Sequence, residues 1–303
     1  MERVFLPFFD PERYSEHHAL ETHGRWSQYH HAVAGGFGCA CDPMEGITGV
    51  DTLTQTRPDG REYEKFRRIM TEEVNAAIAG AYDAGATEVL VSDSHGDAQN
   101  IDIELLDKRA RLVRAWPRPL MMMEGIDGSF DAIVFVGYHA REGQGAAIIS
   151  HTFSGNESIK LNDQVVGETG FNAAIGGEFG VPVVFVSGDQ TETAEATQLL
   201  GPLETAVVKQ AIGYNSAITI HPEKSQEMIR AGVKRGVERR KELKPFKISH
   251  PVILEITYKT TVIAEVASYL RGVQRTSGNT IKYSAEDMIE ASKLRAVISF
   301  LRP

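Results

Sequence analysis

Twice between residues 87 and 141 a short apolar, β-branched run ends in small polar residues and a histidine. Thr87-Glu88-Val89-Leu90-Val91 leads into Ser92-Asp93-Ser94-His95, and Phe130-Asp131-Ala132-Ile133-Val134-Phe135-Val136 leads into Gly137-Tyr138-His139. Such runs, alternating with stretches of helical periodicity, predict an α/β fold with a largely parallel or mixed sheet. On sheets of that kind ligands collect where the carboxyl ends of the strands converge. The repeated feature therefore constrains both the fold and the place where chemistry can occur.

The remaining pattern fills in the elements. Phe66, Ile69, Met70, Val74, Ala77, Ile78 and Ala81 recur at helical spacing and predict a core-facing helix over Glu62 to Ala84, stopped by Gly85. A third strand is expected at Ala146 to Ser150, running into His151. Residues Ile159 to Val166 read as a hairpin turning at Asn162-Asp163, with Gly167-Glu168 opening the next helix. Further strands are expected at Val181 to Ser187, Ala206 to Lys209 and Val252 to Tyr258, and helices at Thr191 to Leu200, Pro222 to Leu243 and Ala285 to Leu301. From His31 to Cys41 three glycines and few branched residues predict little strand character. No internal repeat divides the chain. The expected organisation is an N-terminal segment over residues 1–40, a metal-binding α/β part over 41–190 and a C-terminal α/β region over 191–303.

Composition narrows the function classes. A net charge of −9 over 303 residues argues against a nucleic-acid backbone as partner, because phosphate binding needs a basic stripe. The basic cluster from Lys234 to Lys244 reads as the solvated end of a helix. The apolar run Val4 to Phe9 is broken by Pro7 and followed at once by charges, so neither a signal peptide nor a membrane anchor is expected, and a cytoplasmic location follows. Cys39 and Cys41 are too few and too close for a disulfide framework or a cysteine zinc site. The glycines around Phe37 and at Gly176-Gly177 do not form a dinucleotide fingerprint, and no nucleophile elbow is present. His17, His18, His23, His30 and His31 lack regular ligand spacing and read as an irregular surface segment.

His95, His139 and His151 remain, all at expected strand ends. A lone histidine in such a place is more often a satisfied loop residue than a ligand, but three in the same kind of place point to a metal site. Imidazole suits zinc, and Glu168, Asp42 and Glu45 are the carboxylates that could complete it.

Six motifs occur in order: Asp42-Pro43-Met44-Glu45-Gly46-Ile47-Thr48-Gly49-Val50, Ser92-Asp93-Ser94-His95, Met123-Glu124-Gly125-Ile126-Asp127, Val136-Gly137-Tyr138-His139-Ala140-Arg141, Ser150-His151, and Asn162 to Asn172. Together they resemble the zinc-dependent D-aminopeptidase family of the bacterial dipeptide-transport operon, from Asp42 to near the C-terminus. The resemblance implies a three-layer α/β metal-binding domain with a mixed sheet and a smaller C-terminal α/β region, assembled into a homo-oligomer, a decameric ring in the family. It implies two zinc ions per chain held by Asp42, Glu45, His95, His139 and Glu168, with His151 as the catalytic histidine. It further implies hydrolysis of short peptides carrying an N-terminal D-amino acid by attack of a metal-bound water. The family's first motif separates its aspartate and glutamate by one residue, whereas Asp42 and Glu45 are separated by two, with Pro43 at the aspartate position. A regular strand would turn Asp42 and Glu45 to opposite faces, and a bulge at Pro43 would bring them together. The alternatives are a non-catalytic relative that lost its first ligand and a metal-dependent amidase acting on non-peptide amides.

Overall fold

The computed structural model describes residues 37–42, 44–153 and 155–301, the first group by its backbone alone. The histidines from His17 to His31, Pro43, and the side chains of Cys39, Cys41 and Asp42 lie outside the described residues. Seven strands make the main sheet: β1 (Phe37–Asp42), β2 (Val89–Asp93), β3 (Ala110–Val113), β4 (Ile133–Phe135), β7 (Val183–Asp189), β8 (Glu204–Gly213) and β9 (Ser216–Thr219), in the order β3-β2-β1-β4-β7-β8-β9. All neighbours are parallel except β8 and β9. Every residue of β2 and of β7 is buried. That is why Val89-Leu90-Val91 and Val183-Val184-Phe185-Val186 read as unbroken apolar runs, as strands covered on both faces do.

The segment expected to have little strand character instead forms β1 in the middle of this sheet. It pairs with β2 from Phe37↔Val89 to Asp42↔Asp93 and with β4 at Ala40↔Val134 and Cys41↔Phe135. Two flanking strands supply the hydrogen bonds that local propensity does not promise, and tertiary context overrides it.

The helix expected at Glu62 to Ala84 is α1 (Tyr63–Asp83), which buries Phe66, Met70, Val74, Ala77, Ile78 and Ala81. It packs against α4 (Pro222–Glu238), whose Gly232 and Gly236 lie close to the Phe185 ring and the Val184 carbonyl of β7. Helix α4 is shorter than expected. It caps at Arg239 and gives way to a 3-10 turn over Arg240–Glu242. The basic cluster there is a solvated helix end, with Arg235 and Arg239 paired to Glu204.

A second, antiparallel sheet has the order β11-β12-β10-β5-β6, from β5 (Asn156–Leu161), β6 (Gln164–Val166), β10 (Val252–Tyr258), β11 (Gln274–Arg275) and β12 (Thr280–Ala285). The β5–β6 hairpin turns at Asn162 and Asp163 with φ of 47° and 67°, the left-handed pair that a two-residue turn requires. Buried Leu254 and Ile256 of β10 stand opposite Leu161 and Ile159 of β5, which sets the register by the apolar face. Helices α2 (Glu168–Glu178), α5 (Thr261–Ala267) and α6 (Met288–Ser299) accompany this sheet, while α3 (Gln190–Leu200) follows β7. Both sheets draw strands from either side of residue 190.

The strand expected at Ala146 to Ser150 does not form. Those residues are a loop, with Ala146 and Ile149 at φ of 49° and 48°. An extended strand cannot hold such angles, so the apolar run is buried as an irregular loop: Ala147, Ile148 and Ile149 are each at most 1% exposed.

Candidate metal centre

Glu45, His95 and His139 stand just beyond the carboxyl ends of strands, Glu168 at a helix start and His151 in a loop. Glu45 follows β1 in a turn tied to the end of β4 by the Gly46 N–H donating to the Gly137 carbonyl at 2.7 Å. His95 follows β2. The buried Asp93 carboxylate before it accepts from the backbone N–H groups of Asn100 (2.6 Å) and Ile101 (2.7 Å), and the Asn100 amide donates to the His95 carbonyl at 2.6 Å. The loop carrying His95 is thus folded back on its own strand end. His139 follows β4. His151 ends the loop that takes the place of the expected strand, and its N–H donates to the Ala140 carbonyl at 3.2 Å. Glu168 is the first residue of α2, where the free N–H groups of a helix start favour a carboxylate.

These residues gather into a pair and a group of three that share one field. His95 Nδ1 lies 3.1 Å from Glu45 Oε2, and His95 Nε2 lies 2.8 Å from the Thr56 carbonyl. His139 Nε2 and His151 Nε2 each lie 3.6 Å from Glu168 Oε1, and the two rings stack with centroids 3.9 Å apart. One ligand atom each from His139, His151 and Glu168 falls within 4.8 Å of the others. The group of three is linked to the pair through Glu45, whose carboxylate interacts electrostatically with His95, His151 and His139 alike.

The hydrogen bonds define the tautomers. Because a carbonyl only accepts, the Thr56 carbonyl requires an N–H at His95 Nε2, the Ala140 carbonyl one at His139 Nδ1 (3.2 Å) and the Ile149 carbonyl one at His151 Nδ1 (2.7 Å). The opposite nitrogen of each neutral ring therefore presents a lone pair to a carboxylate. Two acceptors facing each other need a cation between them, either a proton or a metal. His139 Nε2 is buried and without a hydrogen-bond partner. A histidine anchored to a backbone oxygen through one nitrogen, with the other turned to an anionic oxygen, has the arrangement of a metal ligand held by its surroundings. Nitrogen and carboxylate donors in this combination suit zinc.

The electrostatics agree. Burial works against protonation of His95 and His139, but Glu45 and Glu168 outweigh it and push them up to about 9 and about 10. Burial likewise works against the charged forms of the two glutamates, yet the histidines hold both below the ordinary carboxylate range. His151 behaves differently: burial and the adjacent His139 hold it below the usual histidine value. It is also the more accessible ring, with its side chain 24% exposed against 2% for His139.

Of the residues singled out in the sequence, Glu45, His95, His139, His151 and Glu168 come together. Asp42 ends β1 opposite Asp93, and its side chain lies outside the described residues. Several participants were not visible in the sequence. Thr56 orients His95, and the Phe153 N–H donates to Glu168 at 2.7 Å. Asp189 accepts from Ile148 in the His151 loop, and the Lys209 ammonium donates to the carbonyls of Glu45 and Val50. The available signals were an aspartate just before an expected helix and a lysine inside an apolar strand run.

Known proteins resemble this chain in both sequence and fold. The chain is similar to a D-aminopeptidase of Bacillus subtilis (strain 168), 34% identical over 259 residues that make up 85% of this chain and 94% of the relative. Its fold is similar to the solved structure of the zinc-dependent D-aminopeptidase DppA from Bacillus subtilis, described as a self-compartmentalizing protease, with a TM-score of 0.84 and 34% identity over 87% of this chain and 96% of that one. The family model described as D-aminopeptidase matches residues 41–297. With the six ordered motifs, the two histidine–carboxylate pairs and a match running through nearly all of the described chain, this protein belongs to the D-aminopeptidase family.

Proposed function

We propose that the protein is a zinc-dependent aminopeptidase that removes the N-terminal residue, a D-amino acid, from short peptides. The observation that carries this reading is that His95 and His139 each spend one nitrogen on a backbone carbonyl and turn the other to a buried glutamate. Glu45, His95, His139 and Glu168 would hold the metal, joined by Asp42 if two ions are bound. All of these fall within the 41–190 part, with 191–303 as a C-terminal region of the same catalytic unit; of the N-terminal segment over 1–40, residues 37–40 already belong to β1 of the main sheet. Bound zinc supplies Lewis acidity, polarising the scissile carbonyl and lowering the pKa of water toward roughly 7.

The proton handling belongs to His151. Its Nδ1–H is committed to the Ile149 carbonyl, which leaves Nε2 as the basic nitrogen on the site side. Burial and His139 keep the ring neutral near pH 7, so it can accept a proton. In hydrolysis Nε2 takes a proton from the water that attacks the peptide carbonyl and returns it to the departing amine as the C–N bond breaks. The ring is reoriented by neither transfer, because the Ile149 carbonyl holds the opposite nitrogen throughout.

Among the described residues no helix is long and apolar enough to cross a membrane, which fits the cytoplasmic location proposed here. A homo-oligomer is the expected assembly, with a decameric ring as the specific form that native mass spectrometry would test. The functional reading is tested by hydrolysis of D- and L-aminoacyl p-nitroanilides and simple amides before chelation, after it and on return of zinc. Zinc-dependent release from D-aminoacyl substrates is the expected result. Full activity after exhaustive chelation refutes the mechanism, preference for simple amides makes the protein an amidase, and a protein without zinc or turnover is a non-catalytic relative. For Asp42, a bridging role requires Asp42→Ala to lower zinc per chain and turnover together. Unchanged zinc in Asp42→Ala with a gain in Pro43→Asp assigns that role to position 43 instead.

A further inference from the structure

Two buried charged residues lie behind the site without being part of the metal centre. Asp189 ends β7 and Lys209 lies in β8; they are partners in the register of that parallel pair and are 1% and 2% exposed. An aspartate and a lysine side by side in the interior need a reason, since burial of charge is costly unless each group is fully engaged. Each is engaged by a different loop of the site.

Lys209 reaches the turn after β1. Its ammonium donates to the backbone carbonyls of Glu45 and Val50, clamping the two ends of the turn that presents the Glu45 carboxylate. The same turn is fastened to β8 and the residue after β9 by Thr48, whose hydroxyl donates to the carbonyl of Val208 (3.3 Å) or of Ile220 (2.7 Å). Asp189 reaches the other loop. One carboxylate oxygen accepts from the Ile148 N–H at 2.8 Å, while the second caps α3 by accepting from the N–H groups of Thr191 and Glu192, both at 2.9 Å. Ile148 precedes Ile149, whose carbonyl holds the Nδ1–H of His151. Asp189 therefore acts on the His151 ring through two consecutive residues, in a loop whose left-handed Ile149 gives it no regular ladder of its own.

We infer that Asp189 and Lys209 are positioning residues, neighbours on adjacent strands that hold the His151 loop and the Glu45 turn and so set the proton-transfer group against the metal-binding carboxylate. The inference rests on the proposed reading of Glu45 and His151 as site residues. Its physical content is that β7, buried along its whole length, and β8, which buries Ala206, Val208, Lys209 and Ala211, are the rigid part of the molecule, and that two irregular segments take their placement from them. Neither residue touches substrate in this role.

Asparagine at position 189 separates placement from folding. It caps a helix as well as aspartate does, through its oxygen, but its amide nitrogen cannot accept from the Ile148 N–H. Asp189→Asn should therefore stay folded, melting about 2–12 °C below the wild type for the one unsatisfied buried N–H, and keep its zinc, while kcat falls by about tenfold to a hundredfold with KM within about threefold. Lys209→Met, which keeps an unbranched chain but no donor, should lower zinc retained after dialysis against a weak chelator and lower kcat by at least about tenfold. Lys209→Arg keeps the charge and several donors and should recover part of both. Metal analysis, steady-state kinetics and thermal melts on the full chain read all three. Wild-type kcat in Asp189→Asn, or equal zinc and kcat in Lys209→Met and wild type, overturns the inference. So does a loss in Lys209→Met that Lys209→Arg does not relieve at all. Glu45→Gln and His151→Ala are the controls: if these leave zinc and turnover intact, the underlying site assignment has failed, whatever the positioning variants do.

Discussion

Gly46→Ala is the smallest change that should dismantle half of the site. The Gly46 α-carbon passes so close to the end of β4 that a methyl group added there would lie inside van der Waals contact of the Tyr138 carbonyl and the Gly137 peptide. Those are backbone atoms, and the strand behind them is buried, so neither can swing aside. The turn must retreat by more than about 1 Å to restore ordinary contact. Such a movement breaks the 2.7 Å bond from the Gly46 N–H to the Gly137 carbonyl and pulls the Glu45 and Val50 carbonyls away from the buried Lys209 ammonium. A lost hydrogen bond with buried partners left unsatisfied costs about 1–3 kcal/mol, and loosening contacts to a buried cation costs more, so a destabilisation of about 3–5 kcal/mol is expected. In a chain of this size that lowers the melting temperature by roughly 6–20 °C. Because Glu45 moves with the turn, zinc content should fall and turnover should drop by at least about a hundredfold. Circular dichroism melts, metal analysis and D-aminoacyl p-nitroanilide kinetics on one preparation check all three quantities. A variant that melts within about 2 °C of the wild type with full zinc and turnover would refute the claim that the close approach of these two backbones places Glu45.

In the zinc-free protein at neutral pH, His95 and His139 hold protons against Glu45 and Glu168 whereas His151 does not. Zinc should therefore displace two protons, and its apparent affinity should climb by up to about a hundredfold per pH unit between roughly pH 6 and 8. Competition against a chromophoric chelator measures this, and an affinity that is flat over the range contradicts the tautomers assigned here. His151→Ala should keep its zinc and lose about a hundredfold to ten-thousandfold in kcat; loss of the metal in this variant would make His151 a ligand instead. Glu73 is fully buried, and burial pushes its carboxyl up to about 7 even though the Ser225 hydroxyl and the Thr48 N–H donate to it. A folded-state value raised above the unfolded one means that the folded chain keeps a proton the unfolded chain has lost, so this contribution falls as pH rises from about 4.5 to about 7. Glu73→Gln should remove that fall, on the order of 1–3 kcal/mol, and melts at about pH 5 and about pH 7.5 should differ less in the variant than in the wild type.

What the sequence determined by itself was everything written in local order. The helix α1 follows from the spacing of Phe66, Met70, Val74 and Ile78, because a 3.6-residue period leaves one apolar face to bury. The hairpin at Asn162-Asp163 follows from two residues that tolerate left-handed angles, and the placement of His95 and His139 follows from strand runs that end abruptly in polar residues. The ordered motifs carried the family. Only the tertiary structure decided the rest. The glycine-rich approach to Asp42 became a central strand because β2 and β4 supply its partners, and the apolar Ala146 to Ser150 became a loop because burial rewards apolar side chains whatever the backbone beneath them. The pairing of His95 with Glu45, 50 residues away, and the burial of Lys209 under a turn 159 to 164 residues earlier leave no mark in local composition. Whether a charged side chain can lie in the interior depends on partners that come from distant segments, and only the folded chain brings those partners within reach.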